Sequence, residues 1–170
     1  KMCYFFLPDP WNYSEIPYPN SLYDFLFLPR YYSKNYTKIS KIKIFLGIIK
    51  LINFFSNPYL IIRLFRNLPN ITKYLIFDGI NNNNLFGIFD LISTEIFIFY
   101  RNKFRPDVSL VFLNAIAHFQ HNYWDYKKLN KKGRICLEIL DNILGKLLKK
   151  IDNDEPLIIL NGLSQKNVKN

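Results

Sequence analysis

The feature that most constrains the fold is an apolar stripe at helical spacing in the last third of the chain, with a short unbroken apolar run on either side. Cys136, Leu140, Ile143, Leu147 and Ile151 recur at intervals of 4, 3, 4 and 4, and Leu137, Leu144 and Leu148 widen the stripe. That spacing lines one face of an α-helix. Asp141, Lys146, Lys149 and Lys150 fall outside it. Residues 108–113 and 157–160 have strand length and the continuous apolar character of strands covered on both faces. Strand 108–113, helix 134–151 and strand 157–160 together predict a strand–helix–strand unit with parallel strands and a right-handed crossover. The expected class is α/β: part of a three-layer sandwich with a mostly parallel central sheet, plus a helical segment.

Upstream, residues 20–100 read as mostly helical, a side layer or cap beside the 101–170 core unit, the whole making one partial domain. Residues 4–7 read as a short strand, followed by a proline-rich connection from Pro8 to Pro19 that Trp11 and Tyr13 can pin. A short helix over 21–28 should end at Pro29. A longer one runs from Thr37 or Ser40 to Phe55, with Ile44, Ile48, Leu51 and Phe55 on one face, and stops at Asn57-Pro58. Residues 59–67 form another helix ending before Pro69, and a third begins near Ile71. Asp78-Gly79 and the asparagines at 81–84 read as a turn-rich break. From 85 to 100 the pattern is a largely buried helix, with Phe86, Asp90 and Thr94 on one line and Phe89, Ile96 and Phe99 nearer the core.

Hydrophobic residues at 49% and aromatics at 18% exclude disorder by composition, and 170 residues can bury one good core. The chain starts at Lys1 and enters an apolar run at once, which suggests a fragment. A charge of +10 can attract phosphate, nucleic acid or an anionic membrane. Heavy use of Ile, Asn, Lys, Phe and Tyr is also what AT-rich coding produces, so the charge reads first as composition. Its densest run is Lys127, Lys128, Lys131, Lys132 and Arg134, but basic residues alternate with core positions, and no specific nucleic-acid partner is expected. Cys3 and Cys136 form no CxxC pair or disulfide framework, so a reducing, cytoplasmic setting is the simpler expectation. The most apolar stretches, 42–55 and 85–100, are broken by Lys50 and by Asp90 and Glu95, so no transmembrane segment is expected.

The chemistry-bearing residues cluster at the ends of the two predicted C-terminal strands. Asn114, His118 and His121 follow the first, and Asn161, Ser164 and Gln165 the second. Parallel strands would bring both groups to one sheet edge, where α/β proteins bind ligands. Two imidazoles three residues apart face the same way on a helical turn, a spacing that suits zinc or another borderline divalent ion, although two ligands do not complete a site. Tyr123 and Trp124 read as core anchors. Ser164 lacks a Gly-x-Ser-x-Gly elbow, which argues against a hydrolase triad.

Residues 113–118 (Leu-Asn-Ala-Ile-Ala-His), the amphipathic helix after them and the turn at Asn161-Gly162 resemble the C-terminal half of the alkaline phosphatase superfamily, nearest its type I phosphodiesterase/nucleotide pyrophosphatase branch. Pro8-Asp-Pro-Trp11, Arg105-Pro-Asp107, residues 117–121 (Ala-His-Phe-Gln-His), Tyr123-Trp124 and Gly162-Leu-Ser-Gln165 are similar to an uncharacterised subgroup of it. The resemblance runs over most of this chain but less than half of a family member. It implies that Asn114, Ala117 and His118 stand at the family's metal-binding Asp-x-x-Gly-His, and Asn161-Gly162 at its later Asp-His. The nucleophile would lie outside this chain. The implied activity is metal-dependent hydrolysis of phosphate or sulfate esters or phosphodiesters, with zinc or manganese, a small anionic ester as substrate and the remainder of the same polypeptide as partner. Asn114 would be a weaker ligand than Asp, and Gly162 has no side chain, so the alternative is a homologue that binds a phosphorylated or saccharide ligand without turnover.

Overall fold

The computed structural model describes residues 3–35, 37–79, 82–123, 130–152 and 154–160. Its elements are α1 (Leu22–Asn35), α2 (Lys41–Phe54), α3 (Pro58–Asp78), α4 (Asn82–Phe104), α5 (Ala115–Tyr123) and α6 (Lys131–Leu148). Among the described residues the β-structure is one isolated antiparallel bridge, in which Phe6 and Tyr18 exchange N–H···O bonds of 2.7 and 2.9 Å.

The expected α/β sandwich is therefore overturned, and with it the resemblance to the alkaline phosphatase superfamily, whose fold rests on a central sheet. Residues 108–113 and 157–160 lie outside the helices and form no strand, pairing with no described neighbour. Residues 4–7 contribute only the single bridge at Phe6. A strand needs a partner ladder to exist as one, and apolar run length carries no information about that partner. The amphipathic stripe of α6 is real, but it packs on helices.

Two prolines expected to end helices lie inside them. Pro29 sits within α1, and Pro69 within α3, so the two helices expected on either side of Pro69 are one. A proline removes one backbone donor and crowds the preceding turn. Packing on both sides of Pro69 overrides that local penalty: Leu60 and Tyr74 are both buried, while Pro69 itself is exposed. The asparagine-rich break is also shorter than expected. Gly79 adopts a positive φ of 71° after α3, and its N–H returns to the Leu75 carbonyl at 2.8 Å. Asn84 is fully buried and donates to the Gly79 carbonyl at 2.9 Å, so part of the run opens α4 instead of forming a loop.

Contacts divide the chain into two compact units, Lys1–Arg66 with Phe99–Ser109, and Asn67–Ile98 with Leu110–Asn170. In the first, α1 packs on α2 where Gly47 leaves room: a Cβ there would meet the Leu28 Cδ1 at 2.7 Å and Cβ at 3.2 Å. Phe25 packs against Phe54 and Phe55, with ring centroids 5.5 and 6.4 Å apart. Lys50 and Asn53 donate to the two carboxylate oxygens of Asp24 at 2.7 and 2.9 Å. The Lys50 ammonium holds the Asp24 carboxyl below its ordinary range, so this link is intact at neutral pH and weakens as acid protonates the carboxylate. Tyr4 and Phe5 stack on Phe104 and Tyr100 at the end of α4. The proline-rich connection is pinned chiefly by Arg30, which donates to the Asn12 and Glu15 carbonyls, and by a bond between the Tyr13 and Ser33 hydroxyls.

In the second unit, Tyr74 of α3, Leu91 of α4 and Ile135, Ile139 and Ile143 of α6 form the core, with Ile71, Leu113 and Leu147 against it. An adjoining cluster joins Ala115 and Phe119 of α5 to Cys136, flanked by Phe86 and Ile116. The buried face of α6 is centred on Ile139 and not on Leu140. Gly87 permits this approach, since a Cβ there would lie 2.6 Å from the Ile139 Cδ1. Asn130 caps α6, its side chain accepting the Gly133 N–H at 2.9 Å.

Ile139→Ala should cost about 2–5 kcal/mol in chemical denaturation, whereas Leu137→Ala on the exposed side should stay within about 0.5 kcal/mol. Similar losses for both would place the buried face of α6 wrongly.

Candidate functional site

The predicted site residues that the structure describes sit at the start of α5, and the residue organising them is one that sequence reasoning did not single out as functional. Asp90 of α4 is 4% exposed, and its Oδ2 accepts the backbone N–H groups of Asn114 at 2.9 Å and Ala115 at 2.7 Å. A carboxylate there satisfies donors that a helix start leaves open and opposes the positive end of its dipole. Thr94, one turn on, is fully buried and donates to the Asp90 carbonyl at 2.8 Å. The legible signal was the polar line Asp90–Thr94 inside an otherwise apolar helix.

Asn114 is the residue from which α5 departs, and the His118 N–H donates to its carbonyl at 3.1 Å. His118 is half-buried and stacked on Phe86, with ring centroids 3.5 Å apart and planes 6° apart. His121 is on the same helix and exposed. Cys136 of α6 belongs to the same cluster; burial, with the Asp90 charge adding, pushes its thiol up to about 12, which makes it a packing group and not a nucleophile at neutral pH. Asn161, Ser164 and Gln165, like Trp124, lie outside the described residues, and of Tyr123 only the helical backbone is described.

Among the described residues no three His, Cys, Asp or Glu side chains gather into a ligand set. The metal-dependent hydrolase and its non-turnover homologue both required strand ends on a parallel sheet to carry such ligands. Without that scaffold both readings are withdrawn, together with the phosphodiesterase and pyrophosphatase assignment. Around His118 the structure shows its ring stacked on Phe86 and its backbone N–H closing the first turn of α5.

A second polar group ties three helices of this unit. Glu95 accepts from Lys146 at 2.8 Å and from Asn67 at 3.0 Å, and Lys146 also donates to the Asn67 carbonyl oxygen. Asn67 is 1% exposed, so this triad is structural and sensitive to loss of any one partner.

The unexplained features are on the surface. Leu110 and Phe112 are 84% and 70% exposed on a segment outside the helices, while Leu113 between them and α5 packs on the core. Ile158, Ile159 and Leu160 are 77%, 71% and 82% exposed. Large apolar groups clustered outside in this way mark interaction surfaces. The charge is also segregated. From Phe25 to Phe77 the chain has no Asp or Glu and carries nine cations: Arg30, Lys34, Lys38, Lys41, Lys43, Lys50, Arg63, Arg66 and Lys73. The reading of the charge as scattered composition missed this, although counting acids by segment would have found it.

No protein-family model, curated protein or solved structure matches the chain.

Asp90→Ala should lower stability by about 2–4 kcal/mol, because two buried N–H groups lose a charged acceptor. It should also speed thiol labelling of Cys136, while Asp90→Asn, which keeps an acceptor oxygen, should lose less. Unchanged labelling and stability in Asp90→Ala would remove the capping role.

Proposed function

We propose that the chain is a docking module that completes a β-sheet carried by a partner polypeptide segment, lending residues 110–113 and 157–160 as strands. The observation that carries this reading is the outward exposure of apolar side chains on two segments that lie outside the helices. Leu110 and Phe112 alternate with Val111 and Leu113, the period of two by which a strand presents one face to its own protein and the other to a covering layer. Residues 157–160 offer the same chemistry, Leu-Ile-Ile-Leu, in the same unit.

The backbone narrows the partner further. Among the described residues, neither segment has a backbone hydrogen bond to another part of the chain apart from that of Asn114 at the α5 cap. An extended segment offers donors and acceptors at intervals that another extended strand matches and that a helix face or lipid does not. Each fully buried Leu, Ile or Phe side chain would contribute about 1.5–3 kcal/mol. The expectation that the rest of the same polypeptide is a partner is compatible with this mode, as is a separate chain.

The test uses the protein as its source cells make it. Leu110→Lys with Ile159→Lys should leave the thermal stability of the isolated chain within about 0.5 kcal/mol, since both side chains are exposed. In cell extracts the wild type should elute in size exclusion as part of an assembly, and the variant should lose that assembly. Co-elution of variant and wild type would reject the strand-lending reading.

A further inference from the structure

We infer that the outward face of α2 docks on an anionic phospholipid bilayer. This rests on the first unit and is independent of the strands lent by the second. Ile42, Phe45, Ile49 and Ile52 follow one another at spacings of 3, 4 and 3, so they share one face of the helix. They are 72%, 62%, 46% and 67% exposed. Gly47 and Phe54, on the other side, are buried where α2 meets α1. An apolar helix face that its own unit leaves uncovered is left to a partner.

Charge identifies that partner. Lys38 and Lys41 are exposed at the start of α2, with Lys41 bordering the stripe, in a stretch from Phe25 to Arg66 that holds eight cations and no acids. The stripe itself carries no hydrogen-bonding group across Ile42, Phe45, Ile49 and Ile52. Protein interfaces of useful size place about one hydrogen bond per 100–200 Å², whereas an acyl layer asks for none. An anionic bilayer supplies apolar depth for the stripe and negative headgroups for the flanking lysines. Among the described residues no single helix is long and apolar enough to cross a membrane. The chain bends by 114° between α2 and α3, a pair that together is long and apolar enough for a broken or re-entrant span, and α3 opens with Tyr59, Ile62 and Phe65 exposed. A pair bent so sharply fits a surface better than a straight span.

The experiment is sedimentation of the intact chain with phosphatidylserine–phosphatidylcholine vesicles and with phosphatidylcholine vesicles alone. The inference expects binding to the anionic vesicles that weakens with salt and is much lower on the neutral ones. Lys38→Glu with Lys41→Glu should lower partitioning by at least about 25-fold, taking about fivefold for each cation lost. Phe45→Glu with Ile49→Glu should abolish it without changing the thermal melt, because both side chains point away from the unit. Binding that is absent, equal on both vesicles, or unaffected by Phe45→Glu with Ile49→Glu would overturn the inference. So would lipid-free self-association that the same variant abolishes, which would give the face to a second copy.

Discussion

Asp90 accepts the N–H groups of Asn114 and Ala115 from inside α4, and those two bonds decide where irregular chain becomes α5. Much of the second unit follows from that point. Starting α5 at Ala115 puts Phe119 beside Cys136 and brings His118 flat against Phe86. It also draws Leu113 onto the core. A buried carboxylate is costly unless its acceptor capacity is used, and a helix N-terminus uses it well. The same bonds leave Leu110 and Phe112, just upstream, facing outward.

Helices were legible where periodicity and caps agreed. The 3.6-residue stripe located α6, and the apolar pattern placed most of α2 and α4. Local rules failed where tertiary packing opposed them: Pro29 and Pro69 lie within helices, and Asn84, expected in a loop, is a buried part of α4 that bonds the Gly79 carbonyl. Strands failed for a different reason. Residues 108–113 and 157–160 have strand chemistry, but pairing is non-local, and the described residues hold no ladder for them. The histidines drew attention because His is the usual site residue, yet Asp90, which reads as an interruption in an apolar helix, organises their surroundings.

The two units present different surfaces. The first is cationic, with an uncovered apolar helix face at α2. The second draws its polar groups into Asp90–Thr94 and Asn67–Glu95–Lys146 and exposes apolar segments outside its helices. Its polar groups stabilise packing, with Glu95 and Lys146 drawing three helices together and Asp90 fixing a fourth. Asp90, Glu95 and Lys146 thus have an evident architectural role.

The most direct test of this account is amide hydrogen exchange across residues 110–113 and 157–160, in the isolated chain and in the protein as its source cells assemble it. The account predicts rapid exchange in the isolated chain and strong protection of both segments in the assembled protein, with helix protection unchanged. Equal, rapid exchange in both preparations would show that neither segment is a strand in any natural state and would contradict the docking role.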